Sequence, residues 1–94
     1  MNENERVQQD YVQEIIDLLR SGEDIETLQE KLEEYHANDI ASALPLLEEN
    51  ERKLLYGILD NERLGEVMEY AELGYEYLEE VSPERAALIL SEME

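Results

Sequence analysis

Residues 60–71, DNERLGEVMEYA, and residues 82–93, SPERAALILSEM, decide the fold, because they are one short helix written twice. Glu62-Arg63-Leu64-Gly65-Glu66-Val67-Met68 and Glu84-Arg85-Ala86-Ala87-Leu88-Ile89-Leu90 stand in register at roughly 22 residues, within the period range of helical repeats. A further Glu51-Arg52 pair opens a helix one half-period upstream, and Leu73 begins one in the half-period between the copies. The chain is therefore expected to advance in short helices of about eleven residues.

Working outward, each copy carries its own start signal. Asp60 or Asn61 caps the first, whose inward stripe is Leu64, Val67, Met68 and Ala71, with Gly65 allowing a neighbouring helix to approach closely. Ser82 followed by Pro83 opens the second, since proline at the first helical position lacks only an N–H that would have no helical partner. Between them Leu73, Tyr77, Leu78 and Val81 form a short helix. Upstream, Asn50 is the expected cap for a helix with Leu54, Leu55, Ile58 and Leu59 inward. Before it, Asn38 caps a helix carrying Ile40, Ala43, Leu44 and Leu47, which Pro45 should kink or end near Leu44. Asp24 starts a helix ending near Tyr35, with Ile25, Leu28, Leu32 and Tyr35 on one side. The first helix spans about residues 6 to 20, with Val12, Ile15, Ile16 and Leu19 at helical spacing, Tyr11 beside them and Gly22 as terminator. Residues 1–5 are expected to be disordered.

No stretch alternates polar and apolar residues long enough for a strand, so the fold class is all-α, with about seven short helices. Helices this short are marginal alone and must be stabilised by stacking, as in a solenoid of antiparallel pairs; a compact bundle is the competing layout. The near-regular spacing favours the solenoid.

The 94 residues make one domain at most, with a modest core. There is no Trp, Phe or Cys, so large aromatic burial has to come from six tyrosines, and neither a disulfide framework nor a thiolate metal site can form. A reducing cytoplasm suits such a chain. The longest apolar run, Ala86 to Leu90, is far short of the roughly 20 residues that span a bilayer, and residues 1–5 are no signal peptide, so this segment is expected to be soluble. Twenty-six acidic against seven basic residues give a net charge of −19. That charge argues against nucleic acid and anionic membranes and favours cations or basic surfaces.

Chemical motifs are few. Residues 60–71 mimic part of a calcium loop, but Leu64 and Ala71 stand where that loop needs oxygen ligands. His36 is the only histidine and reads as an ordinary loop residue. No catalytic triad, phosphate loop or carboxylate pair in an evident cleft can be found, so no enzyme is expected. What remains is Glu62, Glu66 and Glu69, within about 60° on a helical wheel and roughly opposite the apolar stripe. Such a face is ordinarily solvated surface. It becomes a magnesium site only where a partner supplies further oxygens, because Mg²⁺ keeps several waters and takes one or two carboxylates.

Three stretches carry a family resemblance. Leu59-Asp60-Asn61-Glu62-Arg63-Leu64-Gly65-Glu66-Val67-Met68 and Val81-Ser82-Pro83-Glu84-Arg85-Ala86-Ala87-Leu88-Ile89-Leu90 resemble the L-P-P-E-R-A-A-E-(V/I)-L repeats of the cytosolic N-terminal domain of MgtE magnesium transporters. His36-Ala37-Asn38-Asp39-Ile40-Ala41 is similar to the same family's H-P-x-D-(I/L)-A, with alanine in place of proline. Together they extend the resemblance over about residues 15 to 94. It implies a right-handed superhelix that precedes CBS domains and a membrane pore domain in a homodimeric parent protein, on the cytoplasmic side of the cell membrane. On that view residues 1–94 are an isolated domain, truncated at its C-terminal end. The resemblance further implies that Mg²⁺, held by acidic residues between this domain and the CBS domains, favours the closed pore. Glu66 matches the family's interface glutamate; Glu62 and Glu69 share its face; Leu88 fills the same slot in the second copy and takes no metal role. The alternative is an acidic helical-repeat scaffold for a basic protein surface, without ion sensing.

Overall fold

Start signals in the sequence largely set where the helices begin. The computed structural model describes residues 3–93, with side chains over residues 11–93. Its elements are α1 (Glu3–Leu19), α2 (Ile25–Leu32), α3 (Ala37–Ala43), a 3-10 turn (Leu44–Leu46), α4 (Glu49–Ile58), α5 (Asn61–Tyr70), α6 (Gly74–Leu78) and α7 (Pro83–Glu92). No strand occurs among the described residues, and the class is all-α as expected. Of the segment expected to be disordered, residues 1 and 2 lie outside the described residues, and residues 3–5 form the first turn of α1.

Three caps stand where the sequence places them. Asp24 Oδ1 accepts from the Thr27 N–H at 2.9 Å, Asp60 Oδ1 from the Arg63 N–H at 2.8 Å, and Ser82 Oγ from the Arg85 N–H at 3.2 Å. Gly22, at φ +81°, turns the chain away from α1 in a conformation that side chains with a Cβ disfavour. Two caps differ. His36, not Asn38, is the N-cap of α3, and Glu48, not Asn50, is that of α4, where the Glu51 carboxylate accepts from the Glu48 N–H at 2.9 Å. The helix before Pro45 ends at Ala43, the proline being absorbed into the 3-10 turn.

Successive odd helices stack: α1 on α3, α3 on α5, α5 on α7, while α2 and α4 lie against α1 and each other, and α6 lies on α5. Ile15, Leu28, Leu32, Ile40, Leu44, Leu55, Leu64, Val67, Met68 and Ile89 form the dry centre. Two glycines admit close approach. A Cβ on Gly65 would stand 3.4 Å from Glu92 Cβ of α7 and from Cγ of Met93, the residue that follows it, and one on Gly74 only 2.5 Å from the Met68 carbonyl oxygen. Ile25, expected on the apolar side of its helix, is exposed, as is Leu73, and α2 stops at Leu32 rather than near Tyr35. Each is a first-turn or cap residue, and α2 offers its neighbours only Leu28 and Leu32 from two turns of helix. Of the tyrosines, Tyr56 alone is buried.

The arginines of the repeated Glu-Arg pairs hold the periods together. Arg63 donates through Nη2 to the Tyr35 carbonyl and, at 3.5 Å, to that of Leu32, closing the end of α2. One period on, Arg85 donates to the carbonyls of Tyr56 at 2.7 Å and Leu59 at 2.6 Å, closing the end of α4, and through Nε to Asn61 Oδ1 at 2.7 Å. Helix C-termini leave carbonyls without intrahelical donors, and a guanidinium with five N–H groups in a fixed fork can serve several at once.

Arg52 makes a related closure. It donates to the carbonyls of Leu44 and Leu47 and pairs twice with Glu80, Nε to Oε1 at 2.9 Å and Nη2 to Oε2 at 2.7 Å. Its guanidinium lies 5.2 Å from the Tyr77 ring centre, and the Tyr56 hydroxyl donates to Glu80 at 2.7 Å. The Arg52 hydrogen bonds hold the Glu80 carboxyl below the usual carboxylate range, while burial raises the Tyr56 hydroxyl. This cluster ties the segment between α6 and α7 back onto α4.

Candidate functional site

The Asp60 cap fixes the start of α5, and helical geometry then sends alternate faces of one ten-residue helix in opposite directions. Leu64, Val67 and Met68 enter the core; Glu62, Glu66 and Glu69 face outward. The three sequence-selected glutamates therefore share a face, as the helical wheel indicates. They line one open groove of about 610 Å³ together with Glu33, Asp60 and Glu92.

Glu33 and Glu92 are acidic neighbours that α5 alone does not reveal. Glu33 follows α2 and Glu92 ends α7, and only packing brings them to this groove. Glu92 arrives because Gly65 lets α7 lie close against α5. Arg63 is the cation in the lining. Its Nη1 is 3.6 Å from Glu66 Oε1, an ion pair too long for a hydrogen bond, while its other end is engaged with the close of α2. With the Glu66 side chain 58 % exposed, that pair contributes little to stability.

Glu66 and Arg63 also line a second groove of about 550 Å³, whose opposite wall is His36, Ala37, Asn38 and Asp39. Two stretches some 25 residues apart in sequence thus meet across Glu66. The sequence carries both motifs but gives no sign that they face each other; the packing of α3 on α5 does that.

In chemical terms this is a surface of hard oxygen donors with one anchored cation among them. Among the described residues, no three His, Cys, Asp or Glu side chains converge closely enough to hold a metal ion. Mg²⁺ keeps several waters and is bound through one or two carboxylates, so carboxylates spread this way would need further oxygens from a surface laid against the groove to complete an inner-sphere site. Among the described residues, no helix is long and apolar enough to cross a membrane.

The chain matches the family described as the MgtE intracellular N domain over residues 35–94. That span contains both copies of the repeated helix and the His36–Ala41 stretch. No curated protein and no solved structure gives a significant match.

Proposed function

The chain belongs to the MgtE intracellular N domain family, and from that membership we propose that it is the cytosolic regulatory domain of a magnesium transporter. It senses intracellular Mg²⁺ through Glu66, with Glu62 and Glu69, where this face of α5 meets CBS domains of the same parent chain. The parent is a homodimer with a membrane pore domain, and the stacked helices form part of a right-handed superhelix. The stacking of successive odd-numbered helices supports a superhelical arrangement.

The observation that carries the proposal is the position of Glu66. It is exposed and lies between two grooves, at the meeting point of the stretches that resemble the family. At a net charge of −19, bringing a second acidic surface against this face is opposed by repulsion unless cations intervene. A Mg²⁺ ion held only when the surfaces are together stabilises the compact arrangement by its difference in affinity for the two states, and that difference couples ion concentration to the closed pore.

Limited proteolysis of the intact parent protein across a magnesium series tests this. Glu66→Ala is expected to move the midpoint of protection to higher magnesium, and Glu62→Ala and Glu69→Ala to move it less. The same Glu66→Ala change should leave the stability of the domain within about 0.5 kcal/mol, since an exposed helical glutamate contributes little. Midpoints equal to wild type for all three variants would return this face to plain solvated surface.

A further inference from the structure

Large apolar side chains left in water gather where α5 hands over to α6. Tyr70, Leu73, Tyr77 and Pro45 line a groove of about 390 Å³, with Glu72 beside them. Tyr70 is 62 % exposed and Leu73 49 %, and Leu46 and Tyr75, chain neighbours of lining residues or of α6, are exposed as well. Exposed apolar residues grouped in this way, with charged residues beside them, mark an interaction site, whereas scattered ones do not.

Leu73 stands where leucine serves the fold least. It is the N-cap of α6, a place that favours Ser, Thr, Asp or Asn, and it makes no side-chain cap hydrogen bond. The α6 side of the groove is meanwhile held in place. Gly74 brings α6 against the Met68 carbonyl of α5, and the Arg52 guanidinium near the Tyr77 ring is itself gripped by Glu80. An occupant therefore meets a preformed wall and a small ordering cost.

The charge of the groove narrows the occupant. Its lining among the described residues includes Glu72 and neither lysine nor arginine, and Tyr70 also walls the adjoining groove in which Asp39 stands. Arginine suits such a place, because a guanidinium stacks on a tyrosine ring and pairs in plane with a carboxylate. Aromatic-lined grooves likewise take extended segments that carry proline. From the grouped apolar side chains and this charge we infer that the groove between Pro45, Tyr70, Leu73 and Tyr77 docks an extended, arginine-rich segment of a partner protein. Leucine or proline of that segment packs on Leu73 and Pro45, and its arginine lies over Tyr70 beside Glu72. Charge complementarity selects this occupant, since a second copy of the chain brings a net charge of −19 of its own and anionic membranes are repelled. Glu66 lines the two grooves described above and not this one, so ion sensing and docking are separable.

Titrating the chain with a short dye-labelled synthetic peptide of arginine, leucine and proline in repeating order, followed by anisotropy at about 0.15 M salt, tests the inference. Saturable binding is expected with Kd on the order of 100 µM. Leu73→Ser and Tyr70→Ala should each weaken it about tenfold and Glu72→Gln about threefold, while Glu66→Ala leaves it unchanged. Leu73→Ser should also hold or raise the melting temperature, because serine is the better cap. A control peptide with serine for its leucines and prolines should bind about tenfold more weakly and ignore Leu73→Ser. The inference is overturned by no saturation, by binding indifferent to Leu73→Ser, by equal binding of the control peptide, by an equal loss with Glu66→Ala, by a melting temperature that Leu73→Ser lowers, or by sedimentation showing that the chain pairs with itself through Leu73.

Discussion

Helices α5 and α7 share a sequence pattern but not an environment. α5 lies between α3 and α7 with α6 across it, so its apolar places are enclosed from several directions. α7 packs through Ile89 on one side and leaves Leu88 and Leu90 outward. Their approaches differ too. Before α5 the chain is pinned by the buried Ile58, whereas the position one period later is Glu80, pinned by Arg52 and Tyr56. A repeated sequence thus specifies a repeated helix and a repeated arginine closure, while the number of neighbours decides how much each copy contributes to stability.

The sharpest way to break that comparison is to truncate the same place in both copies. Met68→Ala should cost about 2–5 kcal/mol, a large share of the stability of so small a domain. Leu90→Ala, in the equivalent exposed place, should cost less than about 1 kcal/mol. Denaturant titration of the two variants decides the matter, and equal losses would mean that the copies are equally enclosed.

Where the copies agree, substitution should affect them alike. Arg63→Ala and Arg85→Ala each leave helix-end carbonyls without their charged donor, and each should lower stability by roughly 1–3 kcal/mol. Lysine should recover only part of the loss, because a single ammonium lacks the planar fork that serves several acceptors. Thermal melts of the four variants test this, and full recovery by lysine would reduce the closure to simple charge.

The smallest effect expected is one of pH, confined to the α7 side. The Glu80 carboxyl titrates below its unfolded value because of Arg52, so its stabilising contribution is complete above the unfolded carboxylate range, near pH 4.3, and fades as pH falls through the depressed folded value. The stability difference between wild type and Glu80→Gln should therefore be constant at neutral pH and close below about pH 4. Comparing the pair removes the general relief of repulsion that acid brings to so acidic a chain. A difference that persists undiminished to pH 3 would show that the hydrogen bonds, not the charge, hold this segment.

Much of the fold is legible in the sequence because helical spacing and short polar caps are local signals. Asp24, Asp60, Ser82, Pro45 and Gly22 act where they stand. Asn38 and Asn50 mislead because a strong capping residue one or two positions inside the first turn looks the same in sequence as one at its edge. The outward set of Glu62, Glu66 and Glu69 follows from one helix alone and is readable for that reason. Glu33 and Glu92 enter the same groove through tertiary packing, which no local pattern encodes. The roles of Arg63 and Arg85 are hidden differently, since their partners are mainly main-chain carbonyls and any residue supplies one.

Stacking each odd helix on the next keeps most partners close along the chain, and this has a kinetic consequence. Closing short loops forfeits little chain entropy, so a molecule built this way belongs among the fast-folding topologies. Its centre should organise first, because α5 can gather α3 and α6 without waiting for the helices at either end of the row. An early-forming centre and a late-forming edge would let α7 open and close while the remainder stays assembled.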